Sequence, residues 1–271
     1  MPNDMTTHLS NALQAAGTLW SAGGKHYDEV SFAISDALAH AAQRLNAQPD
    51  HDVLDVATGT GWSARNAARG GARVSAIDIA PKLLEAAQQL SALITPRIDY
   101  RLAPAEQLPF ADQSFDRVIS TFGVIFAADQ KRAAAELGRV CRKGGRLCMT
   151  AWTPDGAVAE FFGLIAAHSG MPASSPSPLS WGDPDHAESL LGRDFSLRFE
   201  HRVSSAYYDN ADDIWHWYLR GFGPLRALHE SLGVAGRRAL KRDVDAYHNA
   251  FAVEAGLKVQ REYLLIIGER R

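Results

Sequence analysis

A glycine-rich turn between a predicted strand and a predicted helix limits the folds open to this chain more than any other feature. Residues 52–57 are a short apolar segment, and Gly59-Thr60-Gly61 follows after one residue. Glycine lets the backbone turn tightly and approach a ligand, and the helix behind it presents free N–H groups. Asp78 ends the next predicted strand, where its carboxylate can accept hydrogen bonds from both hydroxyls of a ribose. The pattern predicts an α/β domain that binds a nucleoside-containing cofactor.

Predicted strands alternate with predicted helices through the first half of the chain. The strands are expected at residues 52–57, 73–78, 98–102, 117–121 and 146–152, and the last intervening helix at about 130–142. This alternation predicts a parallel sheet with helices packed on its faces. Beyond it, two alternating segments predict strands at 196–208 and 259–269, with a helical insert at about 211–256 between them. The proline- and serine-rich segment 170–186 is expected to be a loop.

The glycines and the strand-end acid leave two cofactor classes open, because NAD-binding folds carry the same pattern. Asp55 lies inside the first strand, and a buried carboxylate there needs a cation or hydrogen-bond donors. S-adenosylmethionine (SAM) has an α-amino group and a sulfonium, and NAD offers no comparable ammonium. The sequence also contains no Tyr-x-x-x-Lys for hydride transfer. SAM is favoured, and an NAD(P)-linked oxidoreductase stays as an alternative.

Four segments resemble, in order, the motifs of class I SAM-dependent methyltransferases: VLDVATGTG, SAIDIAPKLLEAA, APAEQLPFADQSFDRVIS and AAAELGRVCRKGGRLCMTAW. They are most similar to the branch that includes the ubiquinone/menaquinone-biosynthesis type (methyltransferase type 11), over about residues 50–152. The resemblance implies transfer of a methyl group from SAM to a small molecule, with S-adenosylhomocysteine (SAH) as product. A protein of the same fold that binds SAM without methyl transfer, or that uses it structurally, is the second hypothesis.

We therefore predict one Rossmann-like α/β domain over residues 1–271, with a seven-stranded, mostly parallel sheet whose last strand is antiparallel. Residues 1–48 are expected to form a helical N-terminal lid, and residues 50–152 the SAM-binding core. Residues 153–271 supply the remaining strands, with helical cap insertions at about 153–195 and 209–257.

The resemblance also implies which residues contact SAM. The predicted set is Trp20, Tyr27, Asp55, Ala57, Thr58, Gly59, Gly61, Asp78, Ile79, Ala105, Glu106, Ser120 and Thr121. In this assignment Asp55 and the two glycines hold the amino-acid part, and Asp78 holds the ribose. A helix cap is the alternative role for Asp55, and ordinary packing is the alternative for Tyr27. Pro104 replaces the family's usual adenine-reading Asp, so adenine recognition must rest on Glu106 or on backbone.

The helical insert carries aromatic residues that are either core or the wall of a substrate pocket: Trp215, Trp217, Tyr218 and Phe222. We assign them to the substrate, because inserts after the fifth strand usually cap the active site of this fold. The acceptor is then expected to be a hydrophobic or aromatic metabolite. The candidates for a general base are His216, Tyr218 and His248, and the sequence does not choose among them or name the acceptor atom.

Composition argues against several other functions. The net charge is −3 and no basic run stands out, so nucleic acid is not expected as a partner. No apolar run approaches the roughly 20 residues that cross a bilayer, and no signal peptide is evident. Cys141 and Cys148 are expected to be buried, and two cysteines are too few for a zinc site. A cytoplasmic location and no metal follow as expectations, while the oligomeric state is left open.

Overall fold

The computed structural model describes residues 9–170 and 176–271, which form a mixed sheet with helices packed against it. The strands are β1 (Asp52–Val56), β2 (Arg73–Asp78), β3 (Asp99–Leu102), β4 (Phe115–Thr121), β5 (Cys141–Trp152), β6 (Phe195–Tyr208), β7 (Ala252–Val253) and β8 (Gly256–Arg270). Their order is β3-β2-β1-β4-β5-β8-β6, and β7 pairs with the start of β8.

The first five strands are parallel, and β8 runs antiparallel between β5 and β6. Apart from the two-residue β7, this is the predicted seven-stranded sheet with a reversed last strand. The carboxyl ends of the parallel strands share one edge, where ligands bind in open α/β sheets.

The helices flank this sheet and build two additions to it. They are α1 (Asn11–Ser21), α2 (Tyr27–Phe32), α3 (Ser35–Leu45), α4 (Trp62–Arg69), α5 (Pro81–Leu90), α6 (Gln130–Val140), α7 (Ala157–Ser169), α8 (Pro184–Leu191), α9 (Ala211–Gly221), α10 (Gly223–Ser231) and α11 (Val234–Asn249). We call residues 9–48 the lid and residues 209–257 the cap. The cap has a small apolar core of its own, centred on Ile214, Leu240 and Val244.

Three predicted boundaries were wrong. The helix predicted to reach residue 142 ends at Val140, and Cys141 instead begins β5, opposite Phe115 of a correspondingly longer β4. The last strand begins at Gly256 and not at residue 259, because its first residues pair with β7. The segment predicted as a loop contains a 3-10 turn at Pro178–Gly182 and the start of α8.

Parts of two predicted elements lie outside the described residues. These are positions 1–8 of the lid and 171–175 of the loop. Within residues 9–170 and 176–271, no helix has the length and apolarity required to cross a membrane. Both cysteines are buried as predicted, and burial raises the pKa of each thiol to about 12.

Candidate active site

The glycine-rich turn after β1 bends sharply at the carboxyl edge of the sheet. Gly59 and Gly61 have φ values of +58° and +85°, in the left-handed region that glycine adopts without strain. Ala57 also has a positive φ, of +56°, which is unfavourable for a residue with a side chain. A Cβ at Gly123 would come within 2.6 Å of the Ala57 Cβ, so the ends of β1 and β4 approach closely there. At the ends of the neighbouring strands β1 and β4, backbone atoms therefore face a cavity.

Asp78 at the end of β2 fixes this turn. Its Oδ2 accepts a hydrogen bond from Gly59 N at 2.8 Å, and its Oδ1 accepts one from Ala80 N at 2.9 Å. The side chain is buried, and burial raises the carboxyl pKa while the backbone donors oppose that rise. A carboxylate has about four acceptor positions, so lone pairs remain for a ligand's hydroxyl groups.

Asp55 has the role that the sequence left as an alternative. Its Oδ2 accepts hydrogen bonds from Thr58 Oγ1 at 2.6 Å and from Ala64 N in the first turn of α4 at 2.9 Å. Burial raises its pKa to about 7, although both donors oppose the rise. Its Oδ1 has no hydrogen-bond partner in the described part of the chain. Asp55 therefore braces the turn from beneath as a helix cap, rather than lining a cavity.

A cavity of about 380 Å³ opens above the turn, a size typical of small-molecule sites. We call it the loop cavity. Ten of the predicted cofactor residues line it: Trp20, Tyr27, Ala57, Thr58, Gly59, Asp78, Ile79, Ala105, Glu106 and Thr121. Trp62, the residue directly after the glycine turn, also lines it.

Two further predicted cofactor residues do not line the loop cavity. Ser120 is fully buried behind it, where its hydroxyl donates to Val56 O at 2.7 Å and accepts from Val124 N at 3.0 Å. Gly61 lies one turn deeper, where a Cβ would meet Tyr100 Oη at 2.6 Å. Ser120 and Gly61 therefore support the shape of the turn. The order of motifs in the sequence does not distinguish such a supporting role from contact with the ligand.

The far end of the loop cavity is bounded by polar groups. Glu106 Oε1 accepts a hydrogen bond from Ala128 N at 2.8 Å, which ties the segment after β3 to the segment before α6. Asp129 and Arg132, at the start of α6, line the same end, and sequence reasoning did not single them out. Glu136 and Arg139 of α6 form an ion pair, and both also hydrogen-bond the backbone of Leu108, which secures the same segment.

The lid closes over the loop cavity. A Cβ at Gly17 would overlap Ile79 O, so α1 lies directly against the end of β2. The Tyr27 ring rests on the glycine turn, where a Cβ at Gly59 would lie 3.3 Å from Tyr27 Cε1. Burial, and secondarily the Asp78 charge, raises the pKa of the Tyr27 phenol, so it stays protonated. The predicted lid therefore supplies one wall of the cavity.

Asp28 anchors this lid to the turn. Its Oδ1 accepts hydrogen bonds at 2.8 Å from Thr60 Oγ1 and from the Nη2 of Arg65. The Arg65 side chain is almost completely buried, and its Nη1 also donates to Thr60 O. The sequence analysis did not predict this pair, because Asp28 on α2 and Arg65 on α4 lie 37 residues apart in the chain.

We expect Asp28→Asn to loosen the lid. The substitution keeps the shape of the side chain but removes the acceptor's charge from two hydrogen bonds, and a bond to a charged group is worth about 1 kcal/mol more than a neutral one. Amide hydrogen exchange over residues 15–30 should become faster, and SAH affinity should fall several-fold. Asp50→Asn, in the turn before β1, is the control. Unchanged exchange over residues 15–30 would show that Asp28 does not hold the lid.

A second, smaller cavity of about 90 Å³ lies between the lid, the sheet and the cap, and we call it the aromatic chamber. Its walls include eleven aromatic rings: Trp20, Tyr27, Phe122, Phe126, Trp152, Phe161, Phe162, Trp217, Tyr218, Phe222 and Tyr247. Its polar side chains include His248 and Arg261. Trp217, Tyr218 and Phe222, which the sequence analysis assigned to the substrate, therefore meet there with His248, one of the candidate bases.

Two of the sequence candidates face elsewhere. Trp215 points into the cap, where its ring lies 5.5 Å from that of His229. His216 is on the outer surface of α9, two-thirds exposed, with Asp212 at 3.4 Å. Trp215 is therefore core, and His216 is not placed to act as a base.

Phe122 forms part of both cavities, and the sequence analysis did not predict it. It follows β4 with a φ of +56°, and a bulky residue in that region is a true outlier that often marks a functional site. Its ring stacks on Trp152 with centroids 3.7 Å apart and an interplanar angle of 10°. Its position directly after the predicted Ser120 and Thr121 was the available signal.

The comparisons with known proteins identify the class of protein to which this chain belongs. Residues 54–149 match a family model described as a methyltransferase domain. The demethylmenaquinone methyltransferase of Renibacterium salmoninarum is 38% identical over 126 residues, which cover 45% of this chain and 52% of that protein. An uncharacterised protein of Mycobacterium tuberculosis is 33% identical over 226 residues, which cover 82% of each chain.

Solved structures show the same fold. The crystal structure of the YcgJ protein from Bacillus subtilis aligns with a TM-score of 0.61 and 17% identity, and covers 87% of this chain and 98% of that one. The family match, the methyltransferase relatives and the shared fold identify a class I methyltransferase whose cofactor is SAM. More narrowly, the chain belongs to the same family as the uncharacterised Mycobacterium tuberculosis protein, and its methyltransferase domain is similar to those of the ubiquinone/menaquinone-biosynthesis branch. The NAD-linked alternative is thereby set aside.

Proposed function

We propose that this enzyme methylates a small apolar or aromatic molecule bound in the aromatic chamber. The observation that carries the proposal is the wall common to the two cavities, which consists of Trp20, Tyr27, Ile34, Phe122 and Phe126. A molecule in the chamber is thus next to the loop cavity, and ring-lined walls with few polar groups suit a flat apolar substrate.

The loop cavity fits SAM by size and by its donor set. We assign the ribose to Asp78, whose fixed carboxylate keeps free lone pairs at the rim of the cavity. The adenine is assigned to Ile79 and Ala105, with Glu106 at its edge, and the methionine part to the backbone of the glycine turn beside Thr121. Thr121 is held in place by a 2.9 Å hydrogen bond with Ser63 of α4.

When bound, SAM supplies an electrophilic methyl group on a sulfonium. What the chain contributes is position and the exclusion of water. Reacting atoms held in line convert a bimolecular reaction into one that is effectively unimolecular. The lid, anchored by Asp28, and the packed rings of the chamber separate the acceptor from solvent.

Two of the candidate bases, Tyr218 and His248, line the chamber, and we favour His248 because burial raises the pKa of the Tyr218 phenol to about 12. The Nδ1 of His248 lies 2.8 Å from Val244 O, and since a carbonyl only accepts, Nδ1 carries the proton. Burial lowers the pKa of this imidazole to about 4, so at neutral pH the other ring nitrogen, Nε2, is an unprotonated acceptor. We assign His248 to accept a hydrogen bond or a proton from an acceptor substrate that arrives protonated.

Two measurements test the proposal. SAH should raise the melting temperature, since a ligand that binds only the folded state stabilises it. Labelled SAM should transfer its methyl group to members of a library of one- and two-ring aromatic compounds. Ala33→Phe places a ring in the aromatic chamber, so it should abolish transfer and leave SAH binding intact. Ala235→Phe, on the exposed face of α11, is the control and should behave like the wild type.

The outcomes separate the two hypotheses. Binding of SAH without labelled product from any compound would support a protein that uses SAM for another purpose. Equal transfer by Ala33→Phe and by the wild type would show that the acceptor does not occupy the chamber.

A further inference from the structure

Arg261 of β8 is a buried cation in the wall of the aromatic chamber. Only 6% of the residue is exposed. The guanidinium donates from Nη2 to Tyr208 Oη at 2.9 Å and from Nη1 to Ala33 O at 3.4 Å, and it also hydrogen-bonds the Tyr218 hydroxyl. All three acceptors are uncharged at neutral pH. A guanidinium has five N–H donors, so the protein uses only part of its binding capacity.

No carboxylate of residues 9–170 or 176–271 forms a salt bridge with this guanidinium. Glu262, the next residue of β8, instead accepts a hydrogen bond from Ala157 N and so caps the start of α7. The Tyr218 phenol lies close to Arg261, but burial raises its pKa to about 12, so at neutral pH it is a dipole and not an anion. His248, the other titratable group nearby, is neutral for the reason given above.

An unpaired buried charge is expensive, and proteins normally pair it or neutralise it. Arginine cannot be neutralised at ordinary pH, because its pKa is above 12. Here burial lowers that pKa, but the hydrogen bonds to the hydroxyls of Tyr218 and Tyr208, and the negative charge that these groups carry once ionised at high pH, outweigh burial and leave it above the usual value. The cation therefore persists in the chamber without an anion from the protein.

We infer that the acceptor substrate carries an anionic oxygen, from a carboxylate or an ionised phenol or enol, and that Arg261 binds this oxygen. The inference rests on the proposed function and narrows its substrate class. The oxygen is attached to a flat apolar ring, because the rest of the chamber wall is mostly aromatic and its volume of about 90 Å³ leaves room for a compact molecule only. His248 Nε2 offers a second polar contact, which an adjacent hydroxyl group would satisfy.

Binding of matched probes to the SAH-loaded enzyme tests this inference without requiring any methyl transfer. Benzoate should bind at least tenfold more tightly than benzamide, and 4-nitrophenolate at least tenfold more tightly than nitrobenzene, the ratio expected from one charge-assisted hydrogen bond. Arg261→Met should remove this preference and leave SAH affinity unchanged. Arg198→Met, which removes an exposed guanidinium from β6, should keep the preference. If the anion is preferred in only one of the two probe pairs, that pair identifies the oxygen of the substrate as a carboxylate or as an ionised phenol.

Stability of the ligand-free enzyme gives a second, independent measurement. If the cation awaits a ligand, replacing it with an apolar side chain of similar length should leave the melting temperature unchanged or higher. A cation that serves only to hold the fold would lower it on removal. Arg261→Met with a lower melting temperature, or neutral and anionic probes that bind wild-type enzyme equally, overturns the inference. A wild-type enzyme that does not bind SAH would instead count against the proposed function.

Discussion

Asp78→Ala is expected to lower the affinity for SAH by about 100-fold. The carboxylate is assigned two hydrogen bonds to the ribose hydroxyls, and each charge-assisted bond is worth about 1.5–3 kcal/mol. A 100-fold loss corresponds to about 2.7 kcal/mol, which lies slightly below the lower end of that sum, about 3 kcal/mol. The same change frees Gly59 N and Ala80 N, so the glycine turn also loses its brace. Isothermal titration calorimetry with SAH measures the effect directly.

Two further variants separate contact with the cofactor from support of the turn. Asp78→Asn keeps an acceptor oxygen for the backbone but loses the charge, so its affinity should fall between those of the wild type and Asp78→Ala. Asp99→Ala removes an exposed carboxylate at the start of the adjacent β3 and should bind SAH normally. An unchanged dissociation constant in folded Asp78→Ala would show that this residue does not touch the cofactor.

Gly23→Ala is expected to lower the free energy of unfolding by about 3 kcal/mol and to weaken SAH binding. An alanine Cβ at this position would overlap Gly221 O and lie 2.9 Å from the Gly221 carbonyl carbon, so the lid would have to move away from the cap. The φ of −75° at Gly23 suits alanine, which leaves this overlap as the cause. Overpacking of this kind costs about 1–3 kcal/mol, and two backbones have little freedom to relax. Urea unfolding and calorimetry measure the two effects.

Gly163→Ala in α7 is the matched control, because nothing lies within 4 Å of its added Cβ. Alanine in an exposed helix position should stabilise the protein by about 0.5–1 kcal/mol. Opposite signs for the same chemical change would locate the effect of Gly23→Ala at the lid–cap contact. Wild-type stability and SAH affinity in Gly23→Ala would mean that the lid and the cap are not packed together in solution.

The lid and the cap form one covering layer in this structure. Gly223 lies so close to the lid that an added Cβ would overlap Leu19 O, and a Cβ at Gly221 would come within 2.6 Å of His26 O. Trp20 of the lid also contacts Phe222 of the cap, with ring centroids 6.0 Å apart. A change that separates the lid from the cap should therefore affect both cavities, because the lid walls the loop cavity and the cap walls the aromatic chamber.

The sequence by itself determined the sheet and the glycine turn. Alternation of short apolar strands with amphipathic helices is a local pattern, and it requires parallel strands whose carboxyl ends meet. Gly59 lies in the turn after β1 and Asp78 ends β2. Both therefore lie at that edge of the sheet and had to be neighbours. Positions defined by a strand end are predictable, since nothing beyond local backbone direction sets them.

The tertiary structure alone decided which side chains face the chamber. Trp215 and Trp217 are two residues apart on one helix, about 200° around its axis, so both could not face the same cavity, and only packing chose Trp217. Arg261 became a candidate only when strand pairing buried it among rings, because an arginine in an alternating strand usually faces solvent. Arg65 and Asp28 meet because the lid folds back over α4. These contacts join residues distant in the chain, and their free energy depends on burial, which a local sequence pattern does not record.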